Sequence, residues 1–170
     1  KLLQKDESRF KLTVRDNIMA ILETRHMDKH QRRERAEELM AQFNLTKLRR
    51  QQARTLSGGE RRKLEIARAL VTDPSLIFLD EPFSAVDPLT IEELQVEIKR
   101  LRDEHHIAVL VTDHNVQQTL RVCDRAYIID EGKVFAEGTP KELINDEMVK
   151  RVYLGSLFRG DEFDNDYAPA

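Results

Sequence analysis

Apolar residues in the first part of the chain recur at the spacing of an amphipathic helix. From Thr13 onward one face carries Val14, Ile18, Ile21 and Leu22, and Thr13 is a suitable cap. A second helix is predicted over residues 31–43 and a third from residue 57 to about residue 72. The second helix has the apolar stripe Ala36, Leu39, Met40 and Phe43. The first 72 residues therefore indicate a mainly helical region.

The period then changes to short apolar runs that alternate with helices. LIFLD (76–80) and IAVLVT (107–112) predict strands buried on both faces, and residues 91–102 and 116–122 return to helical spacing. This order favours a parallel sheet with helical crossovers. AYIID and KVFAEG, on either side of Glu131 and Gly132, predict an antiparallel hairpin, and two short helices follow over 140–145 and about 146–153. The fold class is therefore α/β.

Composition narrows the classes of function. The 170 residues are 40% hydrophobic and 35% charged, which suits one soluble domain, and no run reaches the roughly 20 apolar residues of a membrane span. The single cysteine excludes an internal disulfide, so we expect a cytosolic protein. The net charge is −3, and the basic group Arg32, Arg33 and Arg35 fits a solvated helix face. We therefore expect no nucleic-acid partner.

The stretch LSGGE (56–60) combines a helix cap with two glycines. Ser57 and Glu60 have the spacing of a capping box, which explains those two residues without any ligand. It does not explain Gly58 and Gly59, because glycine costs about 1 kcal/mol relative to alanine inside a helix. A first turn without side chains exposes its amides, and with the helix dipole it favours a phosphate. An anion site at Ser57, Gly58 and Gly59 is therefore predicted.

Two carboxylates follow the first predicted strand. Asp80 and Glu81 lie at the carboxyl edge of the sheet, where ligands bind in open α/β folds. A helix cap or a surface turn is the simpler interpretation, but two buried acids require a cation or hydrogen-bonding partners. Because side chains alternate along a strand, we expect different roles: Asp80 facing a metal and Glu81 facing an attacking water.

His114 ends the second predicted strand in the same way. A histidine at this edge can bond a terminal phosphate or position water, although a lone histidine at a strand end more often has no such role. The other four histidines lie in polar helix ends or loops and are assigned no function.

Four motifs in order resemble the ATP-binding subunits of ABC transporters. They are LSGGE (56–60), LIFLDE (76–81), SAVD (84–87) and His114. The resemblance covers the chain except for an acidic tail. It implies a partial P-loop NTPase core of ABC type with a parallel sheet and a helical signature subdomain.

The resemblance also implies site residues and cofactors, namely ATP and Mg²⁺. Gln4 would contact the metal and sense the γ-phosphate. The signature residues Ser57, Gly58, Gly59 and Glu60 would serve a nucleotide held by the opposite subunit. Asp80 would bind magnesium through water, Glu81 would be the general base, Asp87 would lie in a loop that crosses the dimer, and His114 would be the switch histidine.

Several stretches, among them VTDHNVQQTL and DEMVKRVYLGSLFR, resemble the lipopolysaccharide-export branch of this family. That implies an ATPase at the cytoplasmic face of the inner membrane, with a second copy in a head-to-tail dimer and integral membrane subunits as partners. The alternatives are a branched-chain amino-acid importer ATPase, an ABC protein acting on nucleic acid and an ATPase-dead docking module. Only about 50 residues separate Gln4 from Ser57, which disfavours the inserted coiled coils of repair and cohesion proteins. Arg9 stands where the family is expected to have an aromatic residue.

No G-x-x-x-x-G-K-[S/T] loop occurs in the 170 residues. Without its backbone cradle and lysine, this chain alone is expected to bind ATP poorly and to be inactive, and we expect it to be the C-terminal portion of a longer protein. The expected layout is a Q-loop region over 1–12, a helical subdomain over 13–72, a RecA-like core portion over 73–155 and an acidic, disordered tail over 156–170.

Overall fold

The computed structural model describes residues 11–154, which form two compact units. The first unit contains the described residues up to Ile77 together with Ala85–Val109. The second contains Phe78–Ser84 together with the described residues from Leu110. Within residues 11–154, no helix has the length and apolar character needed to cross a membrane.

Four helices dominate the first unit: α1 (Val14–Leu22), α2 (Lys29–Gln42), α3 (Gly58–Leu70) and α4 (Pro88–Asp103). Each begins at a residue whose side chain caps its first turn, and these residues are Thr13, Asp28, Ser57 and Asp87. Between α2 and α3 lie two 3₁₀ turns, Thr46–Leu48 and Ala53–Thr55. The predicted helices are confirmed, with α2 and α4 beginning two to three residues earlier than expected because their caps lie outside the apolar pattern.

The core of the first unit lies where α1, α2 and α3 pack together. The side chains with almost no exposed surface include Ile18, Leu22, Leu39, Met40, Phe43, Ile66 and Leu94. The polar side chain of Asn17 is buried at 1% exposure and ties α1 to α3. Arg68 Nη1 donates to both the backbone oxygen and Oδ1 of Asn17. The expected apolar stripes therefore form the core, except for Ile21, which is only partly buried.

The strands β1 (Leu76–Asp80) and β2 (Ala108–Thr112) are paired. They run parallel, because the Ala108 amide donates to Ser75 at one end while the Glu81 amide donates to Thr112 at the other. The expectation that both faces are buried is wrong. In β1 burial alternates, so that Ile77 and Leu79 are buried while Leu76 and Phe78 are 45% and 69% exposed. An unbroken apolar run identifies a strand, but it cannot show that elements cover both of its faces.

The second unit continues with α5 (Val116–Leu120) and an antiparallel hairpin of β3 (Ala126–Asp130) and β4 (Lys133–Gly138). The turn has a positive φ at Glu131 and at Gly132, as the hairpin prediction requires. Among the described residues this hairpin is a separate two-stranded sheet. Helices α6 (Pro140–Asn145) and α7 (Glu147–Val149) follow, and a π-helical turn covers Lys150–Leu154. The core of this unit is the cluster Leu120, Ile128, Leu143, Ile144, Val149 and Leu154.

Candidate functional site

The first turn of α3 has the predicted capping box. Ser57 Oγ accepts from the Glu60 amide at 3.2 Å, and the Glu60 carboxylate accepts from the Ser57 amide at 2.8 Å. These two bonds use the first and fourth free amides of the helix, which leaves the amides of Gly58 and Gly59 for an outside acceptor. Gly58 is exposed and Gly59 is buried. The local arrangement suits an anion at Gly58, and the anion site at Ser57, Gly58 and Gly59 stays a prediction.

Both glycines also have a packing reason that the sequence did not reveal. A Cβ added to Gly58 would lie 2.8 Å from the backbone oxygen of Ala85. A Cβ added to Gly59 would overlap Thr90 Cγ2 and lie 3.0 Å from Thr90 Cβ and Oγ1. Ala85 itself has a φ of 54°, so the loop before α4 turns sharply as it approaches the start of α3. The glycines therefore allow two backbone segments of the first unit to approach closely.

Asp87 begins α4 as its cap. Its carboxylate accepts from the Thr90 amide at 3.0 Å and from Thr90 Oγ1 at 2.7 Å. The bond from the Thr90 hydroxyl, followed by the bond from its amide, lowers the pKa of Asp87 below its ordinary range. The same hydroxyl bond fixes the Thr90 side chain that lies against Gly59. Asp87 thus has a structural role in this chain, in addition to the dimer role that the resemblance implies.

Asp80 and Glu81 lie where β1 ends, in the second unit. Asp80 Oδ1 accepts a bond from Thr112 Oγ1 at 2.8 Å, across to the end of β2. Glu81 has a φ of 48°, a left-handed conformation that is uncommon for a residue other than glycine. The strand ends at Asp80, so Glu81 lies beyond the alternating strand positions on which the expected separation of the two carboxylates is based. The separate roles of Asp80 and Glu81 stay a prediction.

His114 lies beside Glu81. Its Nδ1 is 3.7 Å from Glu81 Oε1 and 3.6 Å from Asp113 Oδ1, too long for hydrogen bonds. The side chains of His114 and Glu81 are 71% and 57% exposed. The structure thus brings together Asp80, Glu81 and His114 at the carboxyl ends of two parallel strands, the position predicted from the sequence.

Asp113 is the member of this group that sequence reasoning missed. Its side chain is fully buried, and it accepts backbone bonds from Phe83 at 3.0 Å and from Asn115 at 2.9 Å. The sequence signal for Asp113 was an acidic residue directly after a predicted strand, but the functional role at this strand end was assigned to the neighbouring His114.

The donor set fits magnesium only in part. Among residues 11–154, no group of three or more histidine, cysteine or acidic side chains could enclose a metal. Magnesium commonly uses one or two carboxylates together with waters and phosphate oxygens, and Asp80 with Glu81 can supply that number. Gln4, the other expected metal contact, lies outside the described residues.

Comparison with known proteins identifies the family. A family model described as ABC transporter matches residues 1–84. The chain belongs to the ATP-binding proteins of ABC transporters. It is 51% identical over 150 residues to the lipopolysaccharide export system ATP-binding proteins LptB of Haemophilus influenzae and of Escherichia coli K12. These alignments cover 88% of this chain and 62% of each relative, so the chain spans about three fifths of their length.

Solved structures agree with the fold. An ATP-binding cassette of an ABC transporter, MJ1267, superposes with a TM-score of 0.76 at 26% identity, covering 90% of this chain and 67% of that one. The dimeric bacterial cassette MJ0796 has a TM-score of 0.68 at 29% identity, covering 76% and 57%. The expected fold class, a partial ABC-type core with a helical signature subdomain, is confirmed.

Proposed function

We propose that this chain is the portion of an ABC transporter ATPase that carries the signature helix and the hydrolytic residues, and that the protein hydrolyses ATP to drive lipopolysaccharide export. The observation that carries the proposal is the grouping of Asp80, Glu81 and His114 at one edge of a parallel strand pair. The identity to the LptB proteins supports lipopolysaccharide as the transported substrate.

Glu81 is the residue that accepts a proton from the attacking water. Its carboxylate is more than half exposed, and its left-handed backbone turns it away from the line of β1. It can therefore reach a water at the carboxyl edge of the sheet. His114, within 4 Å of Glu81, would donate to an oxygen of the transferred phosphoryl group.

Asp80 and Gln4 would hold Mg²⁺, Asp80 through a bridging water. The Thr112 hydroxyl fixes one Asp80 oxygen, and the carboxylate would accept from metal-bound water. When bound, magnesium neutralises developing charge on the phosphate oxygens.

The start of α3 would serve a nucleotide held by a second copy of the protein. Ser57, Gly58, Gly59 and Glu60 form a capped first turn with free amides, and the dimeric cassette MJ0796 supports a paired arrangement. Asp87, in the loop before α4, would then lie near the partner in a head-to-tail dimer. Residues 13–72 would form the helical subdomain and residues 73–155 the core portion, flanked by a Q-loop region over 1–12 and an acidic tail over 156–170.

The protein would act at the cytoplasmic face of the inner membrane, bound to integral membrane subunits and to no nucleic acid. The relatives' names, which assign them to an export system, support this location.

Genetic complementation tests the substrate. The full-length protein should restore growth to an Escherichia coli strain depleted of its LptB, and the Glu81→Gln variant should not. Glu131→Gln, an equivalent exchange at the exposed hairpin turn, is the matched control and should restore growth. If the wild-type protein is an active ATPase bound to the Lpt membrane subunits and still does not restore growth, lipopolysaccharide is the wrong substrate, and an importer ATPase becomes the better assignment.

A further inference from the structure

Asp113 has a fully buried carboxylate. Its side chain has 0% exposure, and among the described residues it forms no ion pair with a lysine or arginine. His114 Nδ1 lies 3.6 Å from its Oδ1. Burial of a carboxylate is costly unless hydrogen bonds stabilise it. Here the stabilisation comes from two backbone amides, of Phe83 and Asn115, each on a different loop.

These bonds join the loop after β1 to the loop after β2. On the N-terminal side of Glu81, Thr112 Oγ1 donates to the Asp80 carboxylate. The amide of Glu81 itself donates to the backbone oxygen of Thr112 at 2.6 Å. After Glu81, the Phe83 amide donates to Asp113. Glu81 is thus fixed on both sides, and the Ser84 amide closes the turn by donating to the Glu81 oxygen at 3.3 Å.

The second bond of Asp113 acts on the backbone that carries His114. Asp113 Oδ1 accepts from the Asn115 amide. This bond joins the residue before His114 to the residue after it. The two oxygens of a single side chain therefore set the backbone position of both Glu81 and His114. The side chains of these two residues lie 3.7 Å apart, from His114 Nδ1 to Glu81 Oε1.

We propose that Asp113 is a positioning residue, which holds the backbone at Glu81 and His114 in the geometry needed for hydrolysis. The inference rests on the proposed function for its catalytic consequence. The two hydrogen bonds that Asp113 accepts from Phe83 and Asn115, called the clamp below, can be tested without it. A displacement of about 1 Å can cost roughly a hundredfold in rate, so even a modest loosening of this clamp should be measurable.

Asp113→Asn in the full-length protein is the sharpest perturbation. Asparagine has the shape of aspartate, but its amide nitrogen would face one of the two N–H donors, and one loop would lose its acceptor. We expect kcat for ATP to fall about tenfold or more while KM changes less than about threefold. Asp103→Asn is the matched control, because Asp103 is exposed, pairs with Arg102 and lies in the other unit.

Amide hydrogen exchange provides the second readout. In Asp113→Asn, exchange at Phe83, Asn115 or both should accelerate at least about tenfold, whereas Asp103→Asn should leave both unchanged. If Asp113→Asn unfolds, Asp113→Glu replaces it. The glutamate keeps both acceptors on a longer side chain and should also lower kcat more than it changes KM.

A kcat within about twofold of wild type in the folded variant would overturn the proposal. So would a reduced kcat with unchanged exchange at Phe83 and Asn115. If the wild-type protein hydrolyses no ATP, the proposed function fails instead, and the exchange data alone decide whether the clamp exists.

Discussion

Gly59→Ala tests whether the start of α3 requires glycine for packing. A new Cβ would overlap Thr90 Cγ2 and lie 3.0 Å from Thr90 Cβ and Oγ1. Thr90 cannot rotate away without breaking its 2.7 Å bond to Asp87. Overpacking of this kind costs about 1–3 kcal/mol, and alanine in a helix recovers about 1 kcal/mol relative to glycine. We therefore expect a net destabilisation of about 1 kcal/mol.

A double-mutant cycle isolates the contact. With Thr90→Ala the Cγ2 and Oγ1 atoms are gone and only the 3.0 Å contact to Cβ remains, so the helix propensity of alanine should make Gly59→Ala about neutral in that background. The expected coupling between the two positions is then about 1 kcal/mol. Urea unfolding of the full-length protein and of the three variants measures it. A Gly59→Ala variant at least as stable as wild type, or a coupling below about 0.5 kcal/mol, would refute the packing argument.

Two further predictions concern the first unit. Asn17→Ala removes the side-chain acceptor of Arg68 Nη1 and keeps the backbone one, so it should cost about 1.5–3 kcal/mol in urea unfolding. Asn145→Ala, at an exposed helix end, should cost less than about 1 kcal/mol. Thr90→Val removes the leading cause of the lowered pKa of Asp87, so NMR titration should show that pKa rising toward its ordinary value of 3.8. The folded-state pKa of Asp87 is lowered, so this carboxylate stabilises the wild-type fold only while it is ionised. The extra stability of wild type over Thr90→Val should therefore be present above pH 3.8 and disappear as the pH falls below it. A stability difference that does not change with pH would contradict this.

Sequence patterns predicted nearly every element of the fold, because apolar spacing reports directly which residues face a core. The stripes in α1 and α2, the parallel pair β1 and β2 and the hairpin were all found in this way. Burial of β1 on both faces was not predictable. Phe78 is apolar, yet it is 69% exposed among the described residues, and hydrophobicity alone does not show which elements lie next to it.

The positions of Asp80, Glu81 and His114 were predictable because carboxyl ends of parallel strands share one edge. The sequence could not show how Glu81 is turned, since a positive φ in a glutamate has no local sequence signal. It also could not show that Ala85 and Thr90 lie against Gly58 and Gly59, because these contacts join residues about 30 positions apart. Long-range backbone approaches of this kind depend on tertiary packing.

The most direct test of the proposed function is ATP binding and turnover measured in parallel for Glu81→Gln in the full-length protein. Glutamine keeps the shape of the side chain but cannot accept the proton from water. We expect the ATP dissociation constant to stay within about threefold of wild type and kcat to fall by about a hundredfold or more, with Glu131→Gln unchanged in both. Wild-type turnover by Glu81→Gln would contradict the assignment of Glu81 as the general base.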